Sequence, residues 1–82
     1  MDVLEAAVRV LEEQGEPLHW TVIQDIALQR GYLDPFTERD IRRRLLGALS
    51  GAARKSDGPV MKAGRGIYAL RGRPQRDSGR AG

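Results

Sequence analysis

TERDIRRRLLGALSGAA, residues 37–53, is the stretch whose reading decides the fold. At about 100° per residue, Ile41, Leu45, Ala48, Leu49 and Ala52 line one side of a helix. Arg39, Arg43, Gly47 and Ser50 fall roughly opposite, and Arg54 extends that line. Arg42 and Arg44 flank the apolar stripe. Thr37 is a helix-capping residue type, and Glu38 and Asp40 suit the positive end of a helix dipole. The pattern therefore predicts a helix from Thr37 to Ala53. A helix of this kind buries its apolar stripe and leaves the other side to solvent. Here the free side carries arginines and small residues, a surface that a polyanion can approach closely.

Working outward, two amphipathic segments precede this helix. Asp2 is placed to cap a first helix running to about Gln14, with Val3, Leu4, Ala7, Val8 and Leu11 at helical spacing. Gly15 and Pro17 end it. Leu18-His19-Trp20 is a short extended piece able to pair with a later strand. Thr21 then caps a second helix, with Gln24 three residues on as in a capping box. Its apolar set is Val22, Ile23, Ile26 and Ala27, and Gly31 terminates it. Leu33 and Phe36 are expected to tuck under the third helix, with Phe36 as a hydrophobic staple.

Downstream of Ala53, Ser56-Asp57-Gly58-Pro59 is rich in turn formers. Val60-Met61-Lys62 and Ile67-Tyr68-Ala69-Leu70 read as strands, joined by a turn at Ala63-Gly64-Arg65-Gly66. The order is helix, short strand, helix, helix, strand, turn, strand. That is an α+β, mainly α, winged helix-turn-helix: three helices, a short strand and a C-terminal β-hairpin wing. Residues 1–71 make the domain, and 72–82 read as a disordered basic tail.

Composition narrows the chemistry. The chain of 82 residues has no cysteine, and its one histidine is His19. Disulfide scaffolds, cysteine-held zinc and histidine-cluster metal sites are excluded. No cofactor and no small-molecule substrate are expected. There is no nucleophile–histidine–acid set and no paired carboxylates in a plausible cleft, so an enzyme is not expected. Glu12, Glu13 and Glu16 read as a solvated face. No apolar run approaches membrane-spanning length, and the start, MDVLEAAVRV, lacks the basic opening of a signal peptide. The expected location is the cytoplasm, with the nucleoid if the cell is bacterial.

The net charge is only +3, but it is unevenly spread. Residues 1–41 hold three basic side chains against nine acidic ones, a net −6, whereas residues 42–82 hold eleven against two, a net +9. Most of the basic residues are arginine, which makes forked contacts with phosphates and guanine edges. The third helix of a winged helix is the one that normally enters the major groove. Double-stranded DNA is therefore the expected partner. The candidate contacts are Arg39, Arg42, Arg43, Gly47, Ser50, Arg54 and Lys55 along and after the helix, and Lys62, Arg65 and Arg71 on and beyond the wing. The same arginines would also suit an acidic protein surface, and a run of charge is also what an ordinary solvated face looks like.

Several stretches together resemble the HARE-type helix-turn-helix family. They are VLEAAVRVLEEQGEPLHW, TVIQDIALQRGYL, LLGALSGAARKSDGP and the closing VMKAGRGIYAL, in that order over roughly residues 2–71. The family often opens its third helix with Thr-Pro after a longer loop, where this chain has Pro35-Phe36-Thr37-Glu38. Such winged helices occur in some restriction endonucleases, in Asx-like chromatin proteins and at the N-terminus of the bacterial RNA polymerase delta subunit. The resemblance implies DNA binding, as for many members, in transcription regulation or DNA transactions. From the delta subunit it implies the alternative of a module that binds RNA polymerase or another protein.

Overall fold

The computed structural model describes residues 1–72. The elements follow in the order α1 (Val3–Gln14), β1 (Leu18–His19), α2 (Trp20–Gln29), α3 (Ile41–Arg54), β2 (Val60–Gly64) and β3 (Ile67–Leu70). This is the winged helix-turn-helix order expected from the sequence. The expected tail lies outside the described residues from Arg73 onward.

α1 starts on a reciprocal cap. Asp2 accepts the Glu5 N–H at 2.8 Å, and the Glu5 carboxylate accepts the Asp2 N–H at 3.2 Å, satisfying two donors that a helix start leaves orphaned. Gly15 ends the helix in the left-handed region, at φ 70°. The buried line of α1 is Ala6, Ala7, Val10 and Leu11. Val3, Leu4 and Val8 lie at its edge, only partly buried. The buried face is thus rotated from the expected one, because α1 packs at once on α2, α3 and β3. Alanines at the centre of that contact let the other elements come close.

α2 begins two residues earlier than expected, and Thr21 does not cap it. β1 pairs with β3 through Leu18↔Tyr68 and His19↔Ile67, which holds the backbone extended as far as His19. The helix then starts directly at Trp20. His19 is the cap: its Nδ1 accepts the Thr21 N–H at 3.3 Å and lies 2.8 Å from the Thr21 hydroxyl. Gln24, expected to close a capping box, instead keeps Oε1 buried without a hydrogen-bond partner. At the other end, Gly31 takes φ 75°. Its N–H donates to the Leu28 carbonyl at 3.2 Å, and Tyr32 donates to that of Ala27 at 2.8 Å, the paired closure of a helix ending on glycine.

α3 begins at Ile41, four residues later than the sequence suggested. The cause is Asp34. Its carboxylate accepts the Phe36 N–H at 2.9 Å, and its carbonyl accepts the N–H groups of Thr37 and Glu38 at 3.2 and 2.8 Å. Thr37 also directs its hydroxyl at that carbonyl, so it closes this turn and caps nothing. Asp40 leads into α3 from a left-handed conformation, φ 50° and ψ 48°, and its side chain makes no capping bond. Two expectations are corrected as a result. Arg39 precedes α3 and does not ride on its face. Phe36 is 95% exposed and is not a staple, while Leu33 is buried as expected.

The core gathers Leu45, Leu49 and Ala52 from α3 with Val10, Leu11, Ile23, Ala27, Leu33, Val60, Tyr68 and Leu70. Ile41, at the start of the predicted stripe, is partly buried. The antiparallel sheet has the order β1-β3-β2. β2 pairs with β3 from Val60↔Leu70 to Gly64↔Ile67, with an irregularity between Lys62 and Gly64. Ala63 and Gly64, expected in the turn, belong to β2, and the turn shrinks to Arg65-Gly66.

Arg71 is corrected most. Its half-buried guanidinium donates from Nε to the Gly58 carbonyl at 3.1 Å and from Nη2 to those of Ala53 and Val60, both at 3.0 Å. It ties the end of α3 to the start of the wing and offers no free fork to a ligand. The cation also sits by a helix C-terminus, where the dipole favours it. Gly58 completes this joint, since a Cβ there would fall 2.3 Å from the Ala52 carbonyl oxygen. Hydrogen bonds to a charged donor contribute about 1.5–3 kcal/mol, and abandoned part-buried carbonyls add to the loss. Arg71→Ala should therefore destabilise the domain by about 2–3 kcal/mol in urea unfolding, and Arg71→Lys should recover only part. An unchanged urea midpoint for Arg71→Ala would show that this clamp contributes nothing.

Candidate nucleic-acid interface

Burying Leu45, Leu49 and Ala52 fixes the rotation of α3 about its axis. Arg43, Gly47, Ser50 and Arg54 then fall on its far side. Arg43, Gly47 and Arg54 are exposed and Ser50 is half-buried. Lys55, the residue that ends the helix, is exposed as well. Arg39 stands exposed on the turn before α3, Lys62 on β2 and Arg65 at the wing turn.

The basic residues divide by what they already touch. Arg30 pairs with Glu13 at 3.5 Å, and Arg44 with Glu38 at 3.2 Å. Arg9 lies over the Tyr32 ring, 5.6 Å from its centroid, and Arg71 is held by carbonyls. Glu13 also accepts the Tyr32 hydroxyl proton, so it braces the end of α2 against α1 and is more than part of a solvated face. By contrast, Arg39, Arg43, Arg54, Lys55, Lys62 and Arg65 have no side-chain hydrogen bond or ion pair among the described residues. Arg42 is intermediate: its guanidinium lies over the Trp20 ring, 5.6 Å from the centroid.

The structure brings Arg42 and the wing turn together through Trp20, whose backbone N–H donates to the Gly66 carbonyl at 2.9 Å. It keeps Arg54 and Lys55 apart from them, since twelve residues of helix separate Arg42 from Arg54, about 18 Å. A ligand touching all of these must run along the helix. A B-DNA major groove, roughly 12 Å wide, admits an α-helix and offers a phosphate wall on either side.

Gly47 and Gly51 add to this picture. A Cβ at either position would meet nothing within 4 Å, so no internal contact demands glycine there. Glycine inside a helix is about 0.8–1 kcal/mol less favourable than alanine. Gly47 lies on the arginine line, where a missing side chain allows the closest approach.

The joint around Trp20 is what sequence reading missed, taking Leu18-His19-Trp20 only as a short extended piece. The available signal was the place of His19 and Trp20, an aromatic pair at a strand-to-helix passage.

Other chemistry finds little material. Among the described residues no group of three or more His, Asp or Glu side chains is placed to hold a metal ion. No described helix is long and apolar enough to cross a membrane. A shallow groove of about 370 Å³ runs along α1, lined by Met1, Leu4, Val8 and Pro59 with Asp2, Glu5, Arg9 and Glu12, and none of the α3 arginines reaches it.

No curated protein and no solved structure matches the chain. A family model does, over residues 1–72, which takes in all three helices, the short strand and the wing. The chain belongs to the HARE-HTH family, the helix-turn-helix domain described from ASXL proteins and restriction endonucleases, a family of DNA-binding rather than catalytic type.

Proposed function

We propose that this domain binds double-stranded DNA, with α3 in the major groove and the wing on the flanking backbone, in transcription regulation or another DNA transaction. The observation that carries this reading is the division of the cations. Those on the outer side of α3, at its two ends and on the wing are free of internal partners, while Arg9, Arg30, Arg44 and Arg71 are engaged within the domain. Arg43 and Arg54 are the central α3 contacts, with Arg42 at the edge. Gly47 and Ser50 permit approach. Arg39, Lys55, Lys62 and Arg65 hold phosphates.

A second reading has one observation in its favour. Phe36 is 95% exposed on a turn well ordered by Asp34, and aromatic anchors are enriched at protein interfaces. In that reading the partner is a protein surface such as RNA polymerase. Retention of polymerase from a nuclease-treated lysate, lost in Phe36→Ala, together with no affinity for DNA, would favour it.

The DNA reading is tested by titrating a duplex at several salt concentrations. About five phosphate contacts, each adding roughly −0.9, give a log–log salt slope of about −4 to −5. Arg43→Ala should weaken binding and reduce the slope by about 1, whereas Arg9→Ala should leave both as in the parent. If Arg43→Ala binds like the parent, α3 is not the contact helix.

Gly47→Ala separates folding from binding. It should stabilise the domain by about 0.5–1 kcal/mol in urea unfolding. It should weaken duplex binding about tenfold, equivalent to 1.4 kcal/mol. A stabilised variant with undiminished affinity would mean that DNA does not come close at this point.

A further inference from the structure

Trp20 lies between the first turn of α3 and the tip of the wing. On the wing side, its backbone N–H donates to the Gly66 carbonyl at 2.9 Å, and the preceding His19 is in register with Ile67 of β3. Gly66, at φ 70°, sits against this pair so closely that a Cβ there would lie 2.8 Å from His19 Nε2 and 3.3 Å from Trp20 Cδ1. On the helix side, the Arg42 guanidinium lies over the indole as a cation–π contact, 5.6 Å from its centroid. The His19 ring flanks the indole, with centroids 5.7 Å apart and a tilt of 33°.

A guanidinium held over a ring is restrained but not used up. The contact is one of cation over ring and engages none of its N–H groups in a hydrogen bond among the described residues, so they stay available for a forked phosphate contact. The contact also removes rotamer freedom before any ligand arrives, so less ordering remains at the moment of binding. The wing turn is restrained by the same residue, through the bond to Gly66. Arg65 is the side chain next to that anchored carbonyl.

From these contacts we infer that Trp20 is a positioning residue for backbone binding: it holds Arg42 and the wing turn in a fixed relation, so that Arg42 and Arg65 grip DNA phosphates as one unit. The inference rests on the DNA reading and adds a mechanism to it. Without the indole, the backbone bond from residue 20 still holds the wing turn, but Arg42 loses its platform and acts as an independent, mobile charge.

The test is a set of salt titrations of a fluorescently labelled random-sequence duplex with the full chain. In the parent, Arg42→Ala and Arg65→Ala should be non-additive, the double variant departing by about threefold or more from the product of the single effects. Trp20→Leu should weaken binding about tenfold and lower the salt slope by about one contact's worth, roughly 0.9, since the backbone bond to Gly66 is kept. Trp20→Phe, which keeps an aromatic face, should recover most of the loss. In the Trp20→Leu background the Arg42 and Arg65 effects should become additive. Far-UV circular dichroism and the urea midpoint establish that each variant is folded, and the Arg42–Arg65 cycle in the parent requires no change at Trp20.

Additivity of the two arginines in the parent, or a folded Trp20→Leu with parental affinity and slope, overturns the inference. If Arg43→Ala still weakens binding in that case, DNA binding by α3 stands without it. If the parent does not bind the duplex at all, both fall together.

Discussion

Everything in this domain follows from α3 having only one face to bury. Leu45, Leu49 and Ala52 are the positions that the core takes from it. Each fully buried leucine contributes about 1.5–3 kcal/mol relative to exposure. Rotating the helix to hide another face would give up that burial and bring arginines into the core, where unpaired charge is far more costly. Arg43, Gly47, Ser50 and Arg54 are therefore presented outward as a geometric consequence of core packing. The rest of the fold determines what stands beside that line.

A domain of this size buries a smaller fraction of its surface than a large one does and is marginal on apolar contacts alone. Its polar joints matter accordingly. A two-stranded hairpin is marginal in isolation, and here β3 becomes the middle strand because the two residues of β1 pair with its other edge. Arg71 fastens the base of the hairpin to the end of α3. The Trp20 backbone N–H fastens its tip to the start of α2. With both ends held, the wing keeps a defined place relative to α3, as the proposed binding of a rigid duplex would need.

Local periodicity carried much of this into the sequence. The α3 stripe, the start of α1 at Asp2, the stops at Gly15 and Gly31 and the hairpin are all set by neighbours within a few residues, and they are where the sequence puts them, with a shorter turn in the hairpin. What sequence could not show depends on competition or distance. Thr37 is a sound capping residue by type, but Asp34 takes both its N–H and its hydroxyl, so α3 waits until Ile41. Arg71 looks like any other arginine near the wing until the carbonyl of Ala53, eighteen residues away, comes beside it. The candidate site shows the same limit. Charge along the chain located its region, but sorting its arginines into engaged and free needed the partners that folding brings together.

In the proposed reading, the cations at the start of α3 serve an anionic partner and not solubility alone. Acidic residues stabilise the first turn of a helix and cations oppose its dipole. α3 has no acidic residue in its first turn, where Arg42, Arg43 and Arg44 stand instead. Asp40 contributes no side-chain cap and holds a left-handed backbone that non-glycine residues seldom adopt. Glu38 answers Arg44 alone among these three. The cations at the positive end of the dipole disfavour the free helix, and that electrostatic cost is relieved by negative charge arriving from outside. A surface built only for solubility could place its arginines at the other end of the helix, where the dipole welcomes them. Gathered at this end, on a helix that already tolerates glycine at 47 and 51, they leave the domain with an electrostatic deficit that phosphate oxygens can fill.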